Sequence, residues 1–338
     1  MRDADLAGVV DGIAAAARLS GVIRLDGPDG IRAERAYGLA DRRHGIPNTV
    51  STRFAIASGV KGMTAVTVMS LVADGTLALD TTARSVLGTD LPLIDERVTV
   101  EHLLAHRSGI GDYLDESAGG DVNDHVMAVP VHRLASTEDY LAVLDGYPQA
   151  SVPGERFAYC NGGYVVLALI AERTSGVPFP DLLSERVLGP AGMTASGFLR
   201  SDELPGDTAL GYLDGDGLRT NVLHLPVRGS GDGGLYSTAA DIHVFWRSLM
   251  GGRLVPADTV AVMTTPRSRS ASGRMRYGLG FWLDGTGPGI ALEGYDAGVS
   301  FRSEHDPIAG TTLTVLANTS DGAWGTLERL RAAGLADA

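Results

Sequence analysis

Apolar side chains recur every third or fourth position in several segments of the chain, which is the spacing of an amphipathic helix. The clearest segments are Leu6–Leu19 and Ser58–Asp74, and Gly75 after the second is a good helix-ending residue. The same spacing predicts further helices at Val98–His106, Thr137–Leu144, Gly162–Thr174, Pro180–Val187, Ala239–Met250 and about Ala323–Ala336.

Short apolar runs bounded by turn residues predict strands close to both ends of the chain. They lie at Gly21–Leu25, Ile31–Gly38, Tyr277–Leu283, Gly289–Glu293, Val299–His305 and Thr311–Ala317. Between them, the stretches 109–153 and 197–234 have the character of loops and irregular structure. The sequence therefore predicts a sheet built from the two ends of the chain, flanked by terminal helices, with an all-α insert in the middle.

This arrangement divides the chain into two interleaved parts. We predict a discontinuous α/β sheet domain from residues 1–57 and 235–338, and a mainly α-helical domain with loops from residues 58–234. A chain of 338 residues is long enough for one large domain or two interleaved ones.

Composition and charge narrow the range of partners. Hydrophobic residues make up 44% of the chain and charged residues 20%, which is typical of a globular protein. The formal net charge of −13 disfavours binding to nucleic acid or to an anionic membrane surface, because both are negatively charged. Charges at Arg2, Asp3, Asp5 and Asp11 interrupt any apolar leader, so we expect no signal peptide, no membrane partner and a cytoplasmic location.

The basic residues are very unevenly divided between the two types. Of the 28 basic residues, Lys61 is the single lysine and the rest are arginines. Arginine stays protonated in proteins, whereas the amine of a buried lysine can lose its proton. The retention of one lysine favours a position that requires an amine able to accept a proton, and the alternative is chance survival at a surface site.

Lys61 follows Ser58 by three residues at the start of a predicted helix, so the two side chains lie on the same helical face. A serine at a helix start is close to free backbone N–H groups and to the positive end of the helix dipole. A lysine with a lowered pKa activates such a serine by taking its proton. The alternative is an N-capping serine beside a solvated lysine, and the S-x-x-K pattern alone does not decide between them.

Tyr159-Cys160-Asn161 precedes the predicted helix at Gly162–Thr174. A phenol can transfer protons, and a carboxamide can hydrogen-bond both a lysine and a substrate carbonyl. The alternative is a core tyrosine followed by an asparagine that caps the helix. Taken alone, this motif favours the structural alternative.

Several segments, taken together and in order, resemble the serine β-lactamase superfamily, which includes class C β-lactamases, DD-peptidases and family VIII carboxylesterases. The resemblance begins at the segment around Ser58 and Lys61 and spans almost the whole chain. The matching segments are Phe54–Ala65, Leu71–Asp80, His102–Ile110, Pro153–Asn161, Leu188–Thr194, Gly233–Asp241 and Tyr277–Trp282.

The resemblance implies an α+β fold of the β-lactamase/DD-peptidase type, with an antiparallel sheet and an active site between the sheet and the helical part. It also implies that Ser58 attacks an ester or amide carbonyl and forms an acyl-enzyme, while Lys61 and Tyr159 transfer the proton. Asn161 would orient Lys61 and the substrate. The backbone N–H of Ser58 and one from a C-terminal strand would form the oxyanion hole, and such donors supply a few kcal/mol. No cofactor is implied.

The third motif of the superfamily differs in this chain. The superfamily carries Lys or His, then Thr, Ser or Gly, then Gly, on the strand that lines the pocket, and the matching triplet is Leu292-Glu293-Gly294. Tyr295 would then supply the second oxyanion N–H. We expect Glu293 and Gly294 to contact or orient the substrate, with the Glu293 carboxylate repelling an anionic ligand. This difference favours neutral or cationic esters or amides.

Other groups of residues match chemical patterns less well. His102 and His106 have the spacing of a metal-binding pair, but no Glu follows His102 and no third ligand is evident, so we interpret both as structural and expect no metal site. Cys160, the single cysteine, lacks an evident base partner and is interpreted as a small buried residue. The glycine-rich stretch 229–234 matches G-x-G-x-x-G without a βαβ unit and is interpreted as a loop.

The sequence thus predicts a serine hydrolase, a carboxylesterase or amidase whose partner is a small ester or amide substrate. One alternative is a β-lactamase or a D-alanyl-D-alanine carboxypeptidase-like peptidase on the same fold. A second is a non-catalytic binding or scaffold protein, which the presence of Ser58, Lys61, Tyr159 and Asn161 argues against. The acyl group, the leaving group and the oligomeric state are not encoded in any pattern that we identify.

Overall fold

A computed structural model describes residues 3–116, 119–270, 273 and 275–335. Its α-helices are α1 (Asp3–Ala17), α2 (Val60–Ala73), α3 (Ala83–Leu87), α4 (Val100–Leu104), α5 (Leu141–Leu144), α6 (Asn161–Ser175), α7 (Phe179–Leu183), α8 (Gly189–Ala191), α9 (Ala239–Met250), α10 (Ala257–Met263) and α11 (Gly322–Ala332). A 3₁₀ turn at Ala57–Gly59 leads directly into α2, and a π-helical turn at Ser184–Leu188 connects α7 to α8.

The strands form one large sheet and two short pairs. They are β1 (Gly21–Gly27), β2 (Gly30–Tyr37), β3 (Leu39–Asp41), β4 (Ile46–Pro47), β5 (Phe54–Ala55), β6 (Tyr236–Ser237), β7 (Ser268–Arg269), β8 (Met275–Tyr277), β9 (Trp282–Asp284), β10 (Ile290–Asp296), β11 (Val299–Asp306) and β12 (Thr311–Ala317). The large sheet has the order β2-β1-β12-β11-β10-β9-β8-β7, and its neighbouring strands are antiparallel. β1, from the start of the chain, thus pairs with β12 from the end.

Alternation along the central strands gives the sheet two apolar faces. Ile23 of β1 and Val315 of β12 pack against α1 and α11, the two terminal helices. Val22 and Leu316 point to the opposite face and join the larger core that contains α2, α6 and α9. The molecule is therefore layered as terminal helices, antiparallel sheet and a helical segment, which is the architecture that the sequence predicts.

Several predicted elements need correction. The predicted strand Tyr277–Leu283 is two strands, β8 and β9, separated by a turn in which the Gly278 N–H donates to the Phe281 carbonyl. The helix predicted from Ser58 begins at Val60, because Ser58 lies in the preceding 3₁₀ turn. The sequence analysis missed α3 and α10, which are short. The last helix ends at Ala332, and its predicted end near Ala336 lies outside the described residues.

Between Ser58 and Gly234 the regular elements in the described part of the chain are all helical. The domain boundaries after residues 57 and 234 nevertheless stay a prediction. In the described ranges, no helix combines the length and the apolar character needed to cross a bilayer.

Candidate active site

Ser58 and Lys61 are brought together at the start of α2. Lys61 Nζ donates to Ser58 Oγ at 2.7 Å, as the three-residue separation at a helix start predicts. Ala57, before the serine, has a φ of 44°, a conformation that side chains rarely adopt and that is often found at functional sites. Ser58 itself remains partly accessible.

The Lys61 ammonium is enclosed by hydrogen-bond acceptors. Besides Ser58, it donates to Asn161 Oδ1 and to the backbone carbonyl of Asp232, both at 2.8 Å. The residue is only 2% exposed. Burial lowers the pKa of this amine, and negative charges, that of Asp232 foremost, partly oppose the shift. A lowered pKa is the property that lets a lysine accept a proton from a serine.

Tyr159 lies beside this pair in an aromatic surround. Its ring centroid is 5.0 Å from Lys61 Nζ, and its ring stacks on Trp282 with an interplanar angle of 9°. Burial raises the pKa of its phenol well above the usual value, and the interaction with Ser58 opposes this rise only in part. The phenol is therefore protonated at neutral pH and can donate a proton.

Asn161 is the first residue of α6, and its amide has a partner on both sides. Its oxygen accepts from Lys61, while its nitrogen donates to the Leu114 carbonyl at 3.1 Å and to Glu116 Oε1 at 3.0 Å. The cap of α6 is not Asn161 but Cys160, whose Sγ accepts from the Gly163 N–H. Burial raises the pKa of the Cys160 thiol well above its usual value, so the sulfur is present as a thiol.

Gly294 brings strand β10 close to the turn that carries Ser58. A Cβ atom at this position would overlap the carbonyl oxygen of Ile56, so the close approach requires glycine. β10 pairs with β9 only at Ile290 and Ala291, and its later residues leave that edge unpaired among the described strands. β10 and β11 are joined by a two-residue turn. In hairpins of this kind the two residues that flank the turn, here Asp296 and Val299, hydrogen-bond to each other through their backbone groups. The alternation then directs the N–H of Tyr295 to the free edge.

The Glu293 carboxylate is paired with a positive charge. Its carboxylate binds the guanidinium of Arg302 on the neighbouring strand β11. The Tyr295 side chain packs against Trp324 of α11, with ring centroids 6.3 Å apart. Arg302 thus compensates the Glu293 charge, and the repulsion of an anionic ligand by Glu293 stays a prediction.

Comparison with known proteins gives the family. A family model described as Beta-lactamase matches residues 6–338. The chain belongs to the Beta-lactamase family.

Relatives within this family have several named activities. A penicillin-binding protein from Bacillus halodurans is 35% identical, with a TM-score of 0.90 over 96% of this chain and 99% of that one. The esterase EstB of Burkholderia gladioli is 33% identical over 59% of this chain and 51% of its own length. A D-aminopeptidase of Brucella anthropi is 28% identical over 81% of this chain and 51% of its own length. The chain thus spans about half the length of these two curated relatives, and the structural match confirms the α+β fold.

Residues that the sequence analysis missed complete the surroundings of Lys61. Asp232 belongs to the glycine-rich stretch that was interpreted as a plain loop, and its carboxylate accepts a hydrogen bond from the Tyr113 hydroxyl. Asp112 accepts from the backbone N–H groups of Asn161, at 2.6 Å, and of Gly162, at 2.8 Å, at the start of α6. These contacts join loops far apart in sequence, so no local pattern in this Beta-lactamase family member could have indicated them.

A cleft of about 610 Å³, including its mouth, begins beside the serine turn at Ala57. Its wall is mainly apolar, with the carboxylates of Asp232 and Asp296 among the polar groups that line it. Burial raises the pKa of Asp296 to about 7, and the negative charge of Asp232 adds to this rise. The described lining of the cleft thus includes two acidic side chains and no Lys or Arg, and burial raises the pKa of Asp232 as well as that of Asp296.

His102 and His106, which have the spacing of a metal-binding pair, have different structural roles. His102 Nδ1 accepts from the backbone N–H of Thr99 and so completes the capping box of α4. His106 packs against Tyr159 instead, with ring centroids 4.3 Å apart. In the described ranges, no group of three His, Cys, Asp or Glu side chains is placed to hold a metal ion.

Proposed function

We propose that this protein is a serine hydrolase that forms an acyl-enzyme on Ser58, and that it acts as a carboxylesterase or amidase on neutral or cationic small substrates. The observation that carries the proposal is the 2.7 Å contact between Ser58 Oγ and the buried amine of Lys61. The names of relatives, among them an esterase and a D-aminopeptidase, agree with this reaction class.

The first half of the proposed reaction is acylation. Ser58 Oγ bonds to the substrate carbonyl carbon as its proton passes to the neutral amine of Lys61. The backbone N–H groups of Ser58 and Tyr295 stabilise the negative oxygen of the tetrahedral intermediate. The bond to the leaving group then breaks, the leaving group takes a proton from the Tyr159 phenol, and the Lys61 ammonium returns a proton to Tyr159.

The second half repeats these steps with water in place of Ser58. Water loses a proton to the neutral amine of Lys61 and bonds to the acyl carbon. The ester bond to Ser58 then breaks as Oγ takes a proton from the Tyr159 phenol, and the Lys61 ammonium returns a proton to Tyr159. Asn161 holds Lys61 throughout through its amide oxygen. No cofactor takes part in these steps.

The charge of the cleft supports the substrate preference. Asp232 and Asp296 line it, and neither Lys nor Arg is among its described lining residues. Leu292 replaces the cation of the superfamily's third motif, and its side chain approaches Gly62 of α2. A positively charged substrate group is attracted to such a cleft, whereas a carboxylate is repelled.

The reaction class is tested by incubating the protein with a fluorophosphonate and measuring a mass adduct on Ser58, alongside turnover of a short-chain nitrophenyl ester. Ser58→Ala is the control and should give neither adduct nor turnover. A folded wild-type protein without adduct and without turnover would defeat the proposal and favour a binding or scaffold protein. Rapid turnover of a chromogenic cephalosporin or a D-Ala-D-Ala peptide would favour the peptidase and β-lactamase alternative.

The substrate preference is tested with three matched esters that carry a trimethylammonium group, its neutral tert-butyl isostere or a carboxylate at the same position. The series is made once on the acyl side and once on the leaving-group side. We expect kcat/KM to fall from the cation to the anion, and Asp296→Asn to reduce the difference. An anion preference in both series would contradict the neutral or cationic assignment while leaving the reaction class intact.

A further inference from the structure

His106 has an unusual backbone conformation directly after α4. Its φ is 51°, and the residue is only 1% exposed. Residues other than glycine adopt positive φ rarely, and such residues cluster at functional sites. The histidine is therefore held in this conformation by its surroundings, which lie next to Tyr159.

The contacts of His106 lie on both sides of Tyr159 along the chain. Its backbone carbonyl accepts from the Ala158 N–H at 2.8 Å, and its ring Nδ1 accepts from the Cys160 N–H at 3.1 Å. The imidazole also packs on the Tyr159 ring at a centroid distance of 4.3 Å. One residue thus fixes the peptide groups before and after the tyrosine as well as one face of its ring.

These contacts specify the protonation state of the ring. Nδ1 accepts a hydrogen bond, so the neutral ring carries its proton on Nε2. Nε2 is buried and has no hydrogen-bond partner among the described residues. Burial lowers the pKa of His106 well below its usual value, and the positive charge of Lys61 lowers it further. A neutral ring adds no second positive charge beside Lys61.

We propose that His106 is a positioning residue that holds Tyr159 in place for proton transfer, through the hydrogen bond from the Cys160 N–H to Nδ1. The inference rests on the proposed function, because Tyr159 is the proton donor in that reaction. His106 does not touch the reacting atoms and acts only through the tyrosine. The hydrogen bond and the ring packing are separable, since different side chains can replace each of them.

A space-filling role for His106 makes the opposite prediction from a positioning role. Asparagine has its Oδ1 where histidine has Nδ1, so His106→Asn keeps the acceptor, and asparagine also tolerates positive φ. Phenylalanine keeps a ring of similar size and has no acceptor. If only the ring volume matters, His106→Phe stays active and His106→Asn is impaired.

We expect the reverse order of activity. With a nitrophenyl ester, His106→Phe should lose about 10²-fold in kcat with KM nearly unchanged, because a small displacement of a catalytic group has effects of this size. His106→Asn should stay within a few-fold of the wild type. In a Tyr159→Phe background, His106→Phe should cause little further loss in kcat, because both changes act through one residue.

His102→Phe is the matched control, four residues before His106 in α4. It removes the acceptor of the α4 capping box, and within the described ranges His102 hydrogen-bonds to Thr99 and Arg107 rather than to residues 158–160, so it should lower the melting temperature and leave kcat unchanged. This control separates a loss of stability from a loss of positioning. A near-wild-type kcat in His106→Phe, or an equal defect in His106→Asn, would overturn the inference.

The tautomer can be measured without any activity. Nitrogen NMR of the imidazole, with His106 assigned by comparison with His106→Asn, should show a proton on Nε2 and none on Nδ1. A proton on Nδ1 contradicts the inference even if His106→Phe does not fold. An inactive wild-type protein defeats the proposed function, whereas a fully active His106→Phe defeats only the role of His106.

Discussion

Lys61 is the residue whose chemistry is most restricted by its surroundings. Its three acceptors are a hydroxyl, an amide oxygen and a peptide carbonyl, none of which carries a full negative charge. The buried ammonium thus gains hydrogen bonds but no direct ion pair with a described residue, which is why burial outweighs the opposing charges and lowers its pKa. An arginine in this place would bring a larger, permanently charged group.

Lys61→Arg tests whether the amine is a proton acceptor. We expect the variant to fold and to lose acylation by about 10²–10⁴-fold, the usual size of a general-base contribution, because guanidinium does not deprotonate. The measurement is the rate of the Ser58 mass adduct, with circular dichroism as a check of folding. A near-wild-type rate in a folded variant would remove Lys61 from the mechanism.

At the scale of elements, the loop 229–234 contacts both α2, the helix that carries Lys61, and α6. The Gly231 carbonyl accepts from Thr64 Oγ1 of α2 at 2.7 Å, which fixes the loop one helical turn after Lys61. The next residue, Asp232, supplies the carbonyl that Lys61 binds. A Cβ atom at Gly231 would overlap the Tyr164 carbonyl of α6, so α6 and the loop can approach only with glycine here.

Gly231→Ala tests this connection between loop and lysine. We expect a loss of about 1–3 kcal/mol in the free energy of unfolding from overpacking, together with a lower kcat because the Asp232 carbonyl shifts. Gly206→Ala is the control, since a Cβ there meets no atom within 4 Å and the residue is exposed. Urea denaturation and ester turnover of both variants check the prediction. Equal behaviour of the two alanine variants would show that the loop is free to adjust.

The sequence predicts the elements that local periodicity defines. α9 at Ala239–Met250 and β12 at Thr311–Ala317 have the bounds that their patterns predict. The break between β8 and β9 was missed because an apolar run continues through a turn that tertiary contacts stabilise. Gly280 has a φ of 91° in that turn, and this conformation cannot be read from the sequence.

The residues of the candidate site likewise fall into those that local spacing or the family resemblance indicates and those that tertiary contacts bring in. The three-residue spacing of Ser58 and Lys61 indicates a shared helical face but leaves a solvated lysine as an alternative, and the family resemblance favours the contact and adds Tyr159, Asn161 and Tyr295. Asp232 and Asp112 reach the site from loops whose paths depend on packing with α2 and α6. Their contacts are long-range in sequence, and a single sequence contains no local signal for them.

At the scale of the whole molecule, two acidic side chains near the site, Asp112 and Asp296, are withdrawn from solvent. Burial raises the pKa of Asp112 to about 6 and that of Asp296 to about 7. A carboxyl whose pKa is higher in the folded than in the unfolded state lowers stability once it ionises. This cost grows as the pH rises from about 4 and is complete above about 7 for Asp296. Ionisation of Asp296 in the cleft thus lowers the stability of the folded protein.

Asp296→Asn tests this opposition between stability and function. Asn cannot ionise, so the melting temperature of the variant should rise relative to that of the wild type between pH 5 and pH 8, because the cost of the raised Asp296 pKa is only partly present at pH 5 and is complete at pH 8. Asp112, whose pKa burial raises to about 6, also titrates in this range and is common to the two proteins, whereas Asp232 and Lys61 interact with the Asp296 charge and respond to its removal. The measurement is the difference in melting temperature between variant and wild type, followed by calorimetry from pH 5 to pH 8. A difference that does not change with pH would mean that the pKa of Asp296 is the same in the folded and the unfolded protein, and the stability cost assigned to its burial would then be absent.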